Sequence, residues 1–335
     1  MNIAIVGAGF CGLASAWHLL EAGQCKVSLF DVKGIGGGAS GIATGLMHPY
    51  PGEAGRYSFK ADEALGAACR LLTISEEILT QPVAKRNGIL RLAVNEKQRH
   101  SFLEHMAKRS DVELVSYHES PIENPLFLIR SGLTVNAPLY LEGLWRACEA
   151  KGARFFQKKI DSVAELESFD QVIFTVGAGI RQLEDFSHLK LRFLKGQVLS
   201  CIWPHLKPPL KQSMIARGYI AEGFMPHTYL LGATYERDFI SEEPCLEKAQ
   251  NELMSKMAFF FPFISDFKIL DCKAGVRVAS AYGHLPMIGR INPSVWVITA
   301  MGSRGLLYHA LMAHYLSSAI FLNDESLIPE AFRFK

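Results

Sequence analysis

The residues best suited to chemistry stand near the start of the chain. Gly7-Ala8-Gly9-Phe10-Cys11-Gly12 has the spacing GxGxxG, follows the apolar run Ile3-Ala4-Ile5-Val6 and opens a helix-like stretch, Leu13 to Ala22. The first glycine of such a hexamer makes a tight turn, the second lets a pyrophosphate approach the backbone, and the third lets helix and strand touch. The helix N-terminus then faces the phosphates with its N–H groups and its dipole. Asp31 stands 19 residues after Gly12, at the end of the second strand-like run from Lys26 to Phe30. A carboxylate there accepts hydrogen bonds from ribose hydroxyls. The set predicts a dinucleotide site, with Ala8 and Phe10 in the turn and Cys11 as a small packed residue. It does not separate NAD from FAD, because both present an ADP moiety.

The elements that must position this site follow from pattern and composition. At 335 residues, 49% hydrophobic and 20% charged, the chain is long enough for two joined domains and apolar enough to fold compactly. A net charge of +2, from 35 basic and 33 acidic residues, describes no overall nucleic-acid-binding surface. The seven cysteines are scattered and contain no CxxC, which argues against a disulfide framework and against a metal site and fits a reducing cytoplasm. No basic region precedes the first strand, so no secretory signal is expected. The apolar stretch Gly305 to Leu322 carries His309, His314, Ser317 and Ser318 and reads as a buried helix, so no integral membrane insertion is expected.

Strand, glycine turn, helix and strand at the N-terminus predict a βαβ unit, and Gly34 to Gly41 is too glycine-rich for a regular element and reads as a functional loop. Helices are predicted over Phe59 to Leu79 and Pro138 to Ala150, and strands over Ile89 to Val94, Ala153 to Gln157 and Gln171 to Val176. From Leu191 to Thr234 short β-branched and aromatic runs between Gly and Pro predict an antiparallel sheet. Strand Val295 to Thr299, the turn Met301 to Gly305 and the helix from Leu306 return to the first domain. That turn aims N–H groups and a positive dipole end at whatever lies above it. The chain thus reads as α/β, a Rossmann-like nucleotide domain with an inserted, mainly antiparallel β substrate domain. The first takes residues 1–85, 135–188 and 273–335; the second takes 86–134 and 189–272.

Seven separated motifs decide the cofactor. They are Gly7 to Gly12 with Asp31; Gly38-Ala39-Ser40-Gly41 with Gly45-Leu46-Met47-His48-Pro49; Thr175-Val176-Gly177-Ala178-Gly179; Lys195-Gly196-Gln197-Val198; Gly232-Ala233-Thr234-Tyr235; Gly275-Val276-Arg277 with Leu285-Pro286-Met287-Ile288-Gly289; and Gly302-Ser303-Arg304-Gly305-Leu306. Over essentially its whole length, and in this order, the chain resembles the D-amino acid oxidase superfamily of FAD-dependent oxidoreductases, whose cofactor domain is of glutathione-reductase type. Within it the motifs are most similar to the flavin-dependent half of a tRNA-modifying member acting at 5-methylaminomethyl-2-thiouridine, with glycine oxidase next. The resemblance implies bound FAD, with Ser40 and Gly41 at the pyrophosphate and Ala43, Thr44, Gly45, Leu46 and Met47 along the flavin. It implies Ile160 beside the adenine, Gly177 and Ala178 near the phosphates, and Gly302, Ser303, Arg304, Gly305 and Leu306 at the flavin N1 and C2 carbonyl side.

The resemblance also implies amine oxidation, which asks the protein to hold a substrate C–H over flavin N5 and to anchor the rest of the molecule. A two-pronged carboxylate anchor calls for arginine, and Arg277 falls where glycine and D-amino acid oxidases place theirs. Tyr219 resembles the tyrosine that assists from the substrate sheet, and Arg304 adds charge from the flavin-side loop. His48 and His284 are polar contacts without an assigned proton-transfer role. Two substrates satisfy this chemistry: a carboxymethylaminomethyl group on a wobble uridine of tRNA, or a free glycine, sarcosine or D-amino acid. A third possibility is a flavin-binding module without catalysis. Lys190, Arg192, Lys195, Lys207, Lys211 and Arg217 cluster in sequence near the proposed substrate sheet, as a tRNA-binding rim would require or as a solvated face would show.

Overall fold

The computed structural model describes residues 1–23, 25–115, 125–258 and 261–334. Chain order begins β1 (Asn2–Val6), α1 (Phe10–Glu21), β2 (Lys26–Asp31), β3 (Leu46–Met47), α2 (Ala61–Leu79), β4 (Ala84–Lys85), β5 (Ile89–Leu92), α3 (Glu96–Lys108), β6 (Val112–Val115), β7 (Leu126–Ile129) and β8 (Leu133–Val135). It continues with α4 (Ala137–Ala150), β9 (Arg154–Gln157), β10 (Gln171–Phe174), β11 (Leu191–Ile202), β12 (Ser213–Ile215), β13 (Tyr219–Glu222), β14 (Thr228–Gly232), α5 (Leu246–Ala258), β15 (Lys268–Ser280), β16 (Met287–Asn292), β17 (Val295–Thr299) and α6 (Gly305–Leu322).

A six-stranded sheet in the order β16-β17-β10-β1-β2-β9 carries the nucleotide layer; all its pairings are parallel except β16 with β17. Side chains alternate across β1, so Ile3 and Ile5 face α1, α2, α4 and α6, while Ala4 and Val6 join a second cluster with Phe30, Ile160 and Phe174. Both faces are covered, as a parallel sheet requires. Helix α6 is the one described helix apolar and long enough to cross a membrane, yet it packs on α1 and α2 with most of its length inside the core. Its apolar character is that of a helix buried on several sides.

The second layer is an eight-stranded sheet, β15-β11-β14-β13-β12-β5-β7-β6, antiparallel except where β12 pairs with β5. Helix α5 and the aromatic cluster around Trp203 fill its outer face. A small sheet, β3-β8-β4, lies where the chain passes between the layers. Strand β15 stays paired with β11 from Lys268 to Ser280. This register carries Gly275-Val276-Arg277 as strand within the eight-stranded sheet.

Candidate active site

The N-terminal turn is held by contacts that leave no room for side chains. Gly7 has φ +107, and a Cβ there would lie 2.5 Å from the Thr175 carbonyl oxygen; at Gly12 it would lie 1.8 Å from the Gly7 oxygen. Thr175 locks the turn by donating its hydroxyl to the Val6 and Gly7 carbonyls at 3.0 and 2.9 Å. Helix α1 starts at Phe10, inside the fingerprint, with no side-chain cap and no acidic residue in its first turn. The Phe10 N–H donates to the Ser40 hydroxyl at 3.2 Å, which brings the glycine-rich loop over the helix end. Burial pushes the Cys11 thiol up to about 12, so it is an inert packed group.

Asp31 does more than the sequence pattern assigns. One carboxylate oxygen accepts from the Ala8 N–H at 2.8 Å and the other from Lys33 and Gly34 N–H at 2.7 and 3.2 Å. It braces both loops, and a carboxylate with about four lone-pair sites retains capacity for a ribose hydroxyl. Ile160 is buried near Phe30 beyond the end of β9, and Gly177 (φ +53) and Ala178 open the short helix after β10. Gly41 approaches Gly36, and Gly45 approaches Val135 so closely that a Cβ would lie 1.8 Å from its carbonyl oxygen. Ala43 and Thr44 lead from there into Leu46 and Met47 of β3.

The C-terminal turn carries Gly302 at φ +52, its N–H donating to Val278 O at 2.6 Å. Helix α6 begins at Gly305, followed by Leu306, and has neither a side-chain cap nor an acidic residue in its first turn; Ser303 does not cap it. Arg304 occupies the cap position, donates to the His284 carbonyl at 2.5 Å, and keeps a buried Nε with no partner. Burial lowers its pKa. Phe10 of the first turn packs on α6: its ring lies 5.4 Å from that of His309, and His309 Nε2 is 2.6 Å from the Tyr140 hydroxyl. His309 Nδ1 lies 2.9 Å from Leu306 O and must donate there, so Nε2 accepts from Tyr140. Burial holds this imidazole down to about 4, hence neutral. Sequence reasoning missed this link, whose only signal is a histidine inside an apolar helix.

The substrate layer delivers a second group of side chains. Tyr219 on β13 lies against Gly232, where a Cβ would come within 2.6 Å of the phenol oxygen. Burial raises the Tyr219 pKa, opposed by the Thr44 side chain and by Arg277. Arg277 extends over Gly196 toward the Thr234 carbonyl at 3.4 Å, and its guanidinium sits 5.8 Å from the Tyr235 ring centre. Gly275 packs on the glycine-rich loop, a Cβ there falling 2.5 Å from Ile42 Cδ1. Thr44, Tyr219 and Arg277 are therefore neighbours. His48 is buried and its Nδ1 accepts from the Tyr50 N–H, while burial and Arg91 push it down to about 3. It is a neutral structural group.

Two of the six cations clustered between 190 and 217 are engaged within the fold. Lys195 is buried, donating to the Ser241 and Glu243 carbonyls, and Arg192 is spent on Ser280 and Ala281 carbonyls. Lys195 lies in a run of strand residues, Leu194 to Leu199, that is buried throughout, which a list of charges along the sequence does not reveal.

The residues present fit FAD. Helices α1 and α6 both start without a cap from their N-cap residue, Gly7, Gly12, Gly41 and Gly45 are packed too tightly for any Cβ, and Arg304 Nε is buried without a partner before α6. A family model described as FAD dependent oxidoreductase matches residues 2–319. Over 368 residues the chain is 26% identical to the tRNA 5-methylaminomethyl-2-thiouridine biosynthesis bifunctional protein MnmC of Aromatoleum aromaticum, covering 94% of this chain and 56% of that protein. The chain thus spans about half the length of the curated relatives it matches. Among solved structures it is similar to glycine oxidase from Geobacillus kaustophilus, with a TM-score of 0.83, 20% identity and coverage of 99% and 98% of the two chains. It is also similar to L-proline dehydrogenase from P. horikoshii, with a TM-score of 0.80, 15% identity and coverage of 99% and 96%. These last two likenesses are of fold.

Proposed function

The chain belongs to the FAD dependent oxidoreductase family, and on that premise we propose that it oxidises the C–N bond of an N-substituted glycine, the carboxymethylaminomethyl group of a wobble uridine in tRNA. FAD is its cofactor. The observation that carries the reading is the meeting of Arg277 and Tyr219 with Thr44 of the flavin-side segment. An arginine fork binds a carboxylate through two parallel hydrogen bonds and so fixes the adjacent carbon as well as the charge. Tyr219, its pKa raised by burial, stays protonated and donates to the same carboxylate. The α6 N-terminus, with Gly302, Ser303 and Arg304 before it, favours negative charge at the turn. Bound FAD would supply a two-electron sink for the carboxymethyl C–H next to nitrogen, with the nitrogen losing its proton, and water would cleave the imine so formed into glyoxylate and the aminomethyl product.

The tRNA substrate is supported by the names of the curated relatives. Anaerobic mixing of the yellow holoprotein with hypomodified tRNA, glycine, sarcosine and D-alanine tests it. Bleaching of the oxidised flavin band by tRNA is expected; bleaching by a free amino acid alone would move the substrate to that class, and no bleaching by any amine would end the reading.

A further inference from the structure

Past β14 the chain continues alongside β11, with Glu236 N–H donating to Lys195 O at 2.9 Å and Lys195 N–H to Glu236 O at 3.0 Å. Side chains alternate across this extension. Thr234 and Glu236 turn inward, Glu236 being fixed by Gln197, Thr234 and Lys248. Tyr235 and Arg237 therefore turn outward together, and Tyr235 is 54% exposed despite its size. Its ring has the Arg277 guanidinium 5.8 Å from its centre and that of Arg237 at 5.7 Å. Arg277 reaches it because the strand between carries Gly196, where a Cβ would lie 2.9 Å from the guanidinium nitrogen.

We propose that Tyr235 and Arg237 form a nucleoside subsite, Tyr235 stacking the uracil ring and Arg237 taking the adjacent phosphate. The inference rests on the proposed carboxylate anchor at Arg277. In carboxymethylaminomethyluridine, four bonds separate the carboxylate carbon from uracil C5, a span of about 5 Å when extended. That is the same scale as the 5.8 Å between the Arg277 guanidinium and the centre of the Tyr235 ring. A free glycine ends at its nitrogen and leaves both side chains unused. An exposed aromatic ring beside a guanidinium is the pairing that takes an unstacked base and its phosphate.

The test compares 5-carboxymethylaminomethyluridine 5′-monophosphate with sarcosine as reductants of the holoenzyme under anaerobic conditions. Equilibrium dialysis of uridine 5′-monophosphate is run in parallel. Tyr235→Leu is expected to lower the preference for the nucleotide over sarcosine roughly tenfold, the scale of a lost base stack, and Tyr235→Phe to restore it. Arg237→Gln should weaken the nucleotide several-fold more than the nucleoside without phosphate. Equal losses for nucleotide and sarcosine in Tyr235→Leu would reduce Tyr235 to a prop for Arg277 and overturn the subsite. If neither reductant bleaches the flavin, the amine-oxidation reading fails separately. Dialysis then still decides the subsite: binding lost in Tyr235→Leu supports it, and binding absent from the unaltered protein, or unchanged by the substitution, overturns it.

Discussion

Arg277 presents a planar, permanently charged fork across a strand position that only glycine leaves open. Arg277→Lys keeps the charge and loses the paired geometry, so binding of a carboxylate substrate should weaken roughly tenfold to a hundredfold, the value of one or two charge-assisted hydrogen bonds. FAD affinity, read from the protein-bound absorbance, should hold, because Arg277 lies in the substrate sheet; equal loss of both would remove the anchor role. Gly232→Ala probes the neighbouring contact. Its Cβ would sit 2.6 Å from the Tyr219 hydroxyl and displace the phenol, so KM for the carboxylate substrate should rise while flavin content stays constant. A normal KM would show that Tyr219 takes no part in binding. Arg277 and Tyr219 each lie in a short glycine-bearing run that the sequence displays, Gly275-Val276-Arg277 and Gly218-Tyr219-Ile220. The partnership of Tyr219 with Thr44 was not legible there, since it joins segments distant in the chain that only the assembled layers bring together.

Helices α1 and α6 are locked by histidines held neutral: His309 down to about 4 by burial, and His18 also down to about 4 by burial and by His314 and Arg70. The unfolded chain takes up a proton at each near pH 6.5, and the folded chain does not until about pH 4. The unfolded state therefore binds more protons across that window, and stability falls as pH drops from about 6.5 toward 4, while above 7 these groups contribute no slope. For His309 the loss is on the order of 3 kcal/mol. Urea midpoints against pH should show the decline, and His309→Gln, which keeps an acceptor for Tyr140, should flatten it by about one proton. Identical slopes would assign the acid sensitivity elsewhere. At this scale the βαβ opening, the helix Ala137–Ala150 and the strand Val295–Thr299 were legible, because turn glycines and apolar runs bound them locally. The length of β15 was not legible, because Gly275 sits in the strand where the glycine-rich loop packs on it and leaves no space for a side chain, a contact made only in the assembled fold.

The two layers are joined by side-chain contacts. Ile42 of the glycine-rich loop presses on Gly275 of β15, Thr44 lies at Tyr219, and Arg181 of the nucleotide layer pairs with Glu242 of the segment after β14. Two layers joined this way should unfold as one unit, and a ligand held by the first should stabilise the second. At a thousandfold excess of free FAD over its Kd, mass action adds about 4 kcal/mol. For a chain of this length, with an unfolding entropy of about 2 cal/mol/K per residue, that is about 6 °C in Tm. Calorimetry of FAD-stripped and reconstituted protein should therefore show one transition that moves upward whole. Two transitions, of which FAD moves only one, would separate the layers energetically, and Arg277 would then keep its geometry in the stripped protein. With one transition, a carboxylate ligand should bind the stripped protein more weakly, because the segment from Ser40 to Met47 loses the partner that orders it against β15 and Tyr219.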